Sequence, residues 1–171
     1  MGFFRKLLGK HDTPSATPAN AMPIPAAAPR QIGYDSRLIN SLLQDHAELG
    51  RIFGNIGDAQ KADNFNDIRS LLIQFKTRLE AHVLTENVRF YNYLEQSLAS
   101  DPNNTGVMHD FRREMNNIAR SVVDFVKKYQ SGTFTPEERR HFATDYDSVG
   151  KILEQRLDNE ENNLYPLYQP G

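Results

Sequence analysis

Cysteine is absent from the 171-residue sequence, and that one absence removes disulfides, thiolate metal sites and cysteine nucleophiles together. His, Asp and Glu are left as the metal-ligating side chains. No apolar run approaches the ~20 residues that a membrane-spanning helix needs. A surplus of Lys and Arg is also lacking. The formal net charge is -2, which argues against a nucleic-acid-binding surface. No glycine-rich phosphate loop and no nucleophile beside a base can be read along the chain, so enzymatic catalysis is not expected.

What is present divides into two parts, residues 1–33 and residues 34–171. The first ten residues, MGFFRKLLGK, set Phe3, Phe4, Leu7 and Leu8 beside Arg5, Lys6 and Lys10. They read either as an amphipathic segment making weak contact with a membrane surface or partner, or as a free tail. The long apolar core and small-residue cleavage site of a secretory signal are not expected here. Lys6 stands where a myristoylation motif prefers Ser or Thr. From His11 to Gln31 five prolines, Pro14, Pro18, Pro23, Pro25 and Pro29, lie among Ala, Ser and Thr, the composition of an extended, disordered linker. The expected location is therefore cytoplasmic, with membrane association only through the first segment.

Four helical patterns follow. Asp35 is placed to cap a helix lined by Leu38, Leu42, Leu43, Leu49, Phe53 and Ile56 that ends near Gly57. A second, long helix carries Phe65, Ile68, Leu72, Phe75, Leu79, Val83, Phe90 and Leu94 and fades at DPNNTG, residues 101–106, read as a turn. A third is lined by Phe111, Met115, Ile118, Val122, Phe125, Val126 and Tyr129, with Ser131 and Gly132 as its stop. Thr135, Pro136 and Glu138 combine an N-cap, a first-position proline and a capping-box glutamate. They open a fourth helix running to Tyr165, where Pro166 stops it. With no strand-like alternation and short loops, the expected fold is all-α, an up-down-up-down four-helix bundle.

The second half of this bundle echoes the first. LEAHVLTENVRFYN (79–92) set on LEQRLDNEENNLYP (153–166) pairs Leu79 with Leu153, Glu86 with Glu160 and Tyr91 with Tyr165. His82 then falls opposite Arg156. LLQDHAELGRIFGNI (42–56) set on FRREMNNIARSVVDF (111–125) pairs Asp45 with Glu114 and His46 with Met115. Two helix pairs so related give a pseudo-two-fold bundle whose inward positions converge at its centre. Those positions hold His46, His82 and Glu86 from one half and Met115, Arg156 and Glu160 from the other.

At these residues the sequence resembles the hemerythrin-like, or HHE cation-binding, family of four-helix bundles that hold a non-haem di-iron centre. The family pattern is met by His46, by His82 with Glu86, and by Glu160 followed by LYP at 164–166. It is broken at Met115 and Arg156. The resemblance implies that one iron loses its nitrogen ligands while His46, His82, Glu86 and Glu160 remain, a set adequate for one Fe, Mn or Zn ion. In that reading the protein is a bacterial-type metal-binding sensor or regulatory protein, responding to dioxygen, nitric oxide or iron supply. An Arg156 guanidinium in the vacated position would neutralise both inward carboxylates and oppose a neighbouring cation. At ~4 Å and an effective dielectric of 20, two unit charges interact by about 4 kcal/mol, and a divalent ion doubles that.

The helix pattern also resembles the Rsd/AlgQ sigma-factor regulators, metal-free bundles whose last helix carries a similar arrangement to Glu154, Arg156 and Glu160. That likeness implies no cofactor and a protein partner. Without a metal, the two histidines would be buried imidazoles bonded to carboxylates, with Asp45 a solvent-facing partner for His46. His109 and His141 read as surface residues and Met115 as core packing. Arg112, Arg113, Arg139 and Arg140 read as solvated helix faces. Tyr91, Tyr93, Tyr165 and Tyr168 read either as a partner surface or as apolar caps of the bundle.

Overall fold

The computed structural model describes residues 31–131 and 134–171. The segment 1–10, nearly all of the proline-rich linker, and Gly132 lie outside the described residues. Among those described, all regular structure is helical. Helix α1 is Leu38–Lys61. Helix α2 has an α-helical stretch Phe65–Thr85, a π-helical stretch Glu86–Tyr91 and a closing α-helical stretch Asn92–Ser97. Helix α3 is Pro102–Gln130. Helix α4 is α-helical over Pro136–Asn159 and π-helical over Glu160–Leu164, and ends in a 3-10 turn Tyr165–Leu167.

Each helix packs on the next, and α4 returns to α1, which closes the four-helix bundle. Two apolar clusters show the alternating direction. One joins Leu49, Ile52 and Ile56 late in α1 to Phe65, Ile68 and Leu72 early in α2, Phe125 and Val126 late in α3, and Phe142 early in α4. The other joins Leu38 and Leu42 at the start of α1 to Phe90 and Leu94 late in α2, Met108 early in α3, and Leu164 late in α4. Each fully buried Leu, Ile or Phe contributes roughly 1.5–3 kcal/mol. Between the clusters lies a layer of buried polar side chains: His46, His82, Glu86, Arg156 and Glu160.

The helix boundaries depart from the sequence reading in three places. DPNNTG is not a turn but the first part of α3. Asp101 is the N-cap, its carboxylate accepting from the Asn103 and Asn104 amides at 3.2 Å, with Pro102 at the first helical position. The added turns bring Met108 into the second cluster, and that burial outweighs the turn-forming composition. Helix α1 continues past Gly57 to Lys61 because Ile56 and Gly57 are both buried against the bundle. Asp35 does not cap it directly: its carboxylate accepts from the Arg37 amide at 3.0 Å, in the turn before the helix. The capping box at α4 is formed as expected, Thr135 accepting from the Glu138 amide at 3.2 Å and Glu138 accepting from the Thr135 amide at 2.7 Å.

Candidate metal centre

Helical periodicity places the polar layer. His82 and Glu86 lie one turn apart on α2, Arg156 and Glu160 one turn apart on α4, and residues four apart share a helix face. His46 enters from α1 between Leu42 and Leu49, which belong to opposite apolar clusters. The repeat extends to backbone conformation, because both π-helical stretches begin at the paired glutamates, Glu86 and Glu160. A π turn closes with i→i+5 bonds, which brings the fifth residue on beneath the first. Tyr91 and Tyr165 are thereby carried inward beside Phe90 and Leu164, and all four are buried.

His46, His82, Glu86 and Glu160 each offer a ligand atom within 4.8 Å of the others. The His46 and His82 Nε2 atoms face each other at 3.2 Å. His46 Nε2 lies 3.4 Å from Glu160 Oε2, and His82 Nε2 lies 3.7 Å from Glu86 Oε2. His46 Nδ1 donates to Glu161 Oε1 at 2.7 Å. A carboxylate only accepts, so this bond puts the proton on Nδ1 and turns the Nε2 lone pair inward. His82 Nδ1 stands 3.7 Å from Asp45 Oδ2.

The charges of this layer are poorly matched by protein alone. Burial, with His46 and Arg78 adding to it, pulls the His82 pKa down to about 3, so this imidazole is neutral. Burial lowers His46 too, but the neighbouring Glu160 and Glu161 carboxylates outweigh that and leave it above its ordinary value. Burial and the neighbouring Glu160 push the Glu86 carboxyl well up. His82 Nδ1, Glu86 Oε2 and Glu160 Oε2 are buried with no hydrogen-bond partner. Buried polar atoms are ordinarily paired, and an orphan costs about 1–3 kcal/mol.

Arg156 is buried, yet it does not neutralise both inward carboxylates as the sequence suggested. Its Nε and Nη2 both reach Glu160 Oε1 at 3.0 Å. Its Nη1 reaches Glu114 Oε2 at 3.3 Å, and Nη2 donates to the Phe111 carbonyl at 3.0 Å and the Tyr91 hydroxyl at 3.4 Å. The guanidinium also lies over the Phe111 ring. These bonds direct it towards α3, and Glu86 receives none of them. Glu160 is thus shared, with Oε1 on the guanidinium and Oε2 on the histidine side.

A family model described as the hemerythrin HHE cation-binding domain matches residues 37–168. The chain belongs to this family. No curated protein and no solved structure matches it. In this hemerythrin-like domain two imidazole nitrogens and two carboxylates converge, and two of the carboxylate oxygens are orphaned towards the imidazoles. That donor set fits one cation: His46 turns its Nε2 lone pair towards His82 Nε2 at 3.2 Å, and the two orphaned carboxylate oxygens lie 3.4 and 3.7 Å from these imidazole nitrogens. The other half of the hemerythrin-like layer offers Arg156 and Met115 in place of imidazoles. Met115 is buried and in neither apolar cluster.

Several residues escaped the sequence reading. Tyr165 donates to Glu86 Oε1 at 3.0 Å and lies 3.0 Å from His46 Nε2, and its pseudo-symmetric mate Tyr91 meets Arg156. Their pairing in the repeat was the available signal. Glu161, adjacent to Glu160, takes the His46 bond expected of Asp45. Asp45 instead pairs with Arg78 at 3.0 Å and stands beside His82. Glu154 is exposed and outside the layer, as are His109 and His141. Arg112 and Arg139 are more than solvated charges. The first bonds Asn87 and covers the Tyr91 ring, and the second pairs with Asp63 and covers Phe65.

Proposed function

We propose that this hemerythrin-like domain holds a single iron ion through His46, His82, Glu86 and Glu160 and acts as a sensor or regulator rather than as an enzyme. The observation that carries the reading is the convergence of four buried donors within 4.8 Å, with two carboxylate oxygens that nothing else satisfies. When bound, iron supplies a redox-active centre responsive to dioxygen, nitric oxide or iron supply. The protein's own groups do the rest. Glu161 fixes the His46 tautomer, Arg156 anchors Glu160 by one oxygen, and the flanking apolar clusters keep water from the layer. A cavity of about 360 Å³ lined by Leu49, Phe53, Phe75 and Leu153 lies apart from the four donors. Among the described residues no helix is long and apolar enough to cross a membrane.

The complete acceptor set around Arg156 supports a second reading, a metal-free interaction module that binds a protein partner as the sigma-factor regulators do. Elemental analysis of protein grown in iron-replete, anaerobic conditions and purified without a metal-affinity tag separates the two. One iron per chain, lost in His82→Ala, is expected. A metal-free protein under those conditions refutes the first reading in favour of the second.

A further inference from the structure

The Tyr165 hydroxyl lies within the donor cluster, not at its edge. It is 3.0 Å from His46 Nε2 and 3.0 Å from Glu86 Oε1. Donors held at about 2.0–2.2 Å from one ion stand about 3 Å apart when they subtend a right angle. The neighbouring pairs His46–His82 and His46–Glu160, at 3.2 and 3.4 Å, have the spacing of such edges, and Tyr165 adds two more.

Its position is fixed from several sides. The π-helical stretch Glu160–Leu164 delivers it inward, its ring stacks on His46 at 5.5 Å between centroids, and Phe90 packs edge-on at 5.2 Å. Tyr91, the equivalent residue of the first half, instead receives a bond from Arg156. One tyrosine is thus turned to the imidazole-bearing half of the layer and the other to the guanidinium.

We propose that the Tyr165 phenol oxygen is a fifth donor to the cation held by His46, His82, Glu86 and Glu160, and that it biases the site towards ferric iron over zinc or manganese(II). The inference rests on the single-cation reading above. Binding as phenolate forms one iron–oxygen bond and breaks the phenol O–H bond, and the released proton leaves to solvent. The proton that burial favours on Glu86 is displaced to solvent as well, and the three anionic oxygens that result, two carboxylates and a phenolate, match a trivalent charge, hard oxygen donors suiting a hard cation.

The test is visible absorption and resonance Raman spectroscopy of protein loaded with ferric iron, with iron per chain measured on the same samples. Iron-bound wild-type protein is expected to show a phenolate-to-iron charge-transfer band and enhanced phenolate ring modes. Tyr165→Phe, which keeps the ring packing, should lose both and weaken ferric iron binding about tenfold or more, and by a larger factor than zinc binding. Tyr91→Phe should retain the band. Stoichiometric iron without phenolate modes, or modes that survive Tyr165→Phe, overturns the fifth donor and leaves the four-donor site standing. Protein that takes up no iron overturns both.

Discussion

Arg156 and Glu160 sit one turn apart on α4, and the guanidinium grips a single carboxylate oxygen with two nitrogens, both at 3.0 Å. The second oxygen is left buried on the histidine side without a hydrogen bond. A fixed organic cation and the candidate cation site therefore draw on different oxygens of one carboxylate.

Replacing Arg156 by Met removes the charge but keeps much of the volume. Breaking a buried pair by deleting one partner costs about 3–5 kcal/mol, so metal-free Arg156→Met should lose stability on that scale in urea unfolding. A saturating divalent cation should recover part of the loss, because a ligand that binds only the folded state stabilises it by mass action.

The pseudo-symmetry makes a stronger demand. If the second half lost its nitrogen donors at Met115 and Arg156, the double variant Met115→His/Arg156→His should take up a second cation per chain, read by elemental analysis. Unchanged uptake in that variant would show that these two positions do not face the centre as His46 and His82 do.

Glu161 touches no cation in the proposed site, yet it holds His46 Nδ1 at 2.7 Å. Loss of a partner that orients a ligating histidine lowers metal affinity about 10–100-fold. Glu161→Ala should show that loss in competition with a chromophoric chelator while the far-ultraviolet circular dichroism stays helical.

Two glycines of α1 should respond in opposite directions. A Cβ at Gly54 meets nothing within 4 Å, so Gly54→Ala should stabilise the protein by roughly 0.8–1 kcal/mol through helix propensity alone. A Cβ at Gly57 would stand 2.4 Å from the Tyr146 hydroxyl, which donates to the Phe53 carbonyl at 2.9 Å from a ring stacked on Phe53. Gly57→Ala should cancel the propensity gain or reverse it, and thermal unfolding of the two variants side by side measures the difference.

The cap of α4 carries a pH signature. The Thr135 amide and hydroxyl hold the Glu138 carboxylate below its ordinary value of 4.5. A lowered carboxylate contributes stability that is fully present above the unfolded value and is lost as pH falls through the folded one. The stability difference between wild type and Glu138→Gln should therefore shrink as pH drops below 4.5. Thr135→Ala should cost about 1 kcal/mol at neutral pH.

Much of this was legible in the sequence, for identifiable reasons. The four-residue spacings His82–Glu86 and Arg156–Glu160 fix which side chains share a helix face, and the apolar periodicity on either side of them fixes that face as inward. The start of α3 was not legible because Asp101, Pro102 and two asparagines suit a turn as well as a helix N-terminus, and only the burial of Met108 decides. Nor was the division of Glu160 between two neighbours, since the direction of a guanidinium depends on acceptors from another helix, here Glu114 and the Phe111 carbonyl. Tyr165 was hidden for a different reason. In an unbroken α-helix the residue five beyond Glu160 would point about 140° away, and nothing in the residue types announces a π turn.

That turn makes the site a matter of helix phase. Each π-helical stretch inserts, in effect, one residue that a regular helix would not need, and everything beyond it is rotated by about 100° relative to a helix without it. Closing the same residues as a regular α-helix, with none removed, would leave all four donors in the chain and their own helix faces unchanged. It would turn Tyr165, the LYP turn and the Tyr168 contacts with the start of α1 away from the core. The register of the final turn, a single residue of length, thus separates a closed polar layer from one open at its end to water.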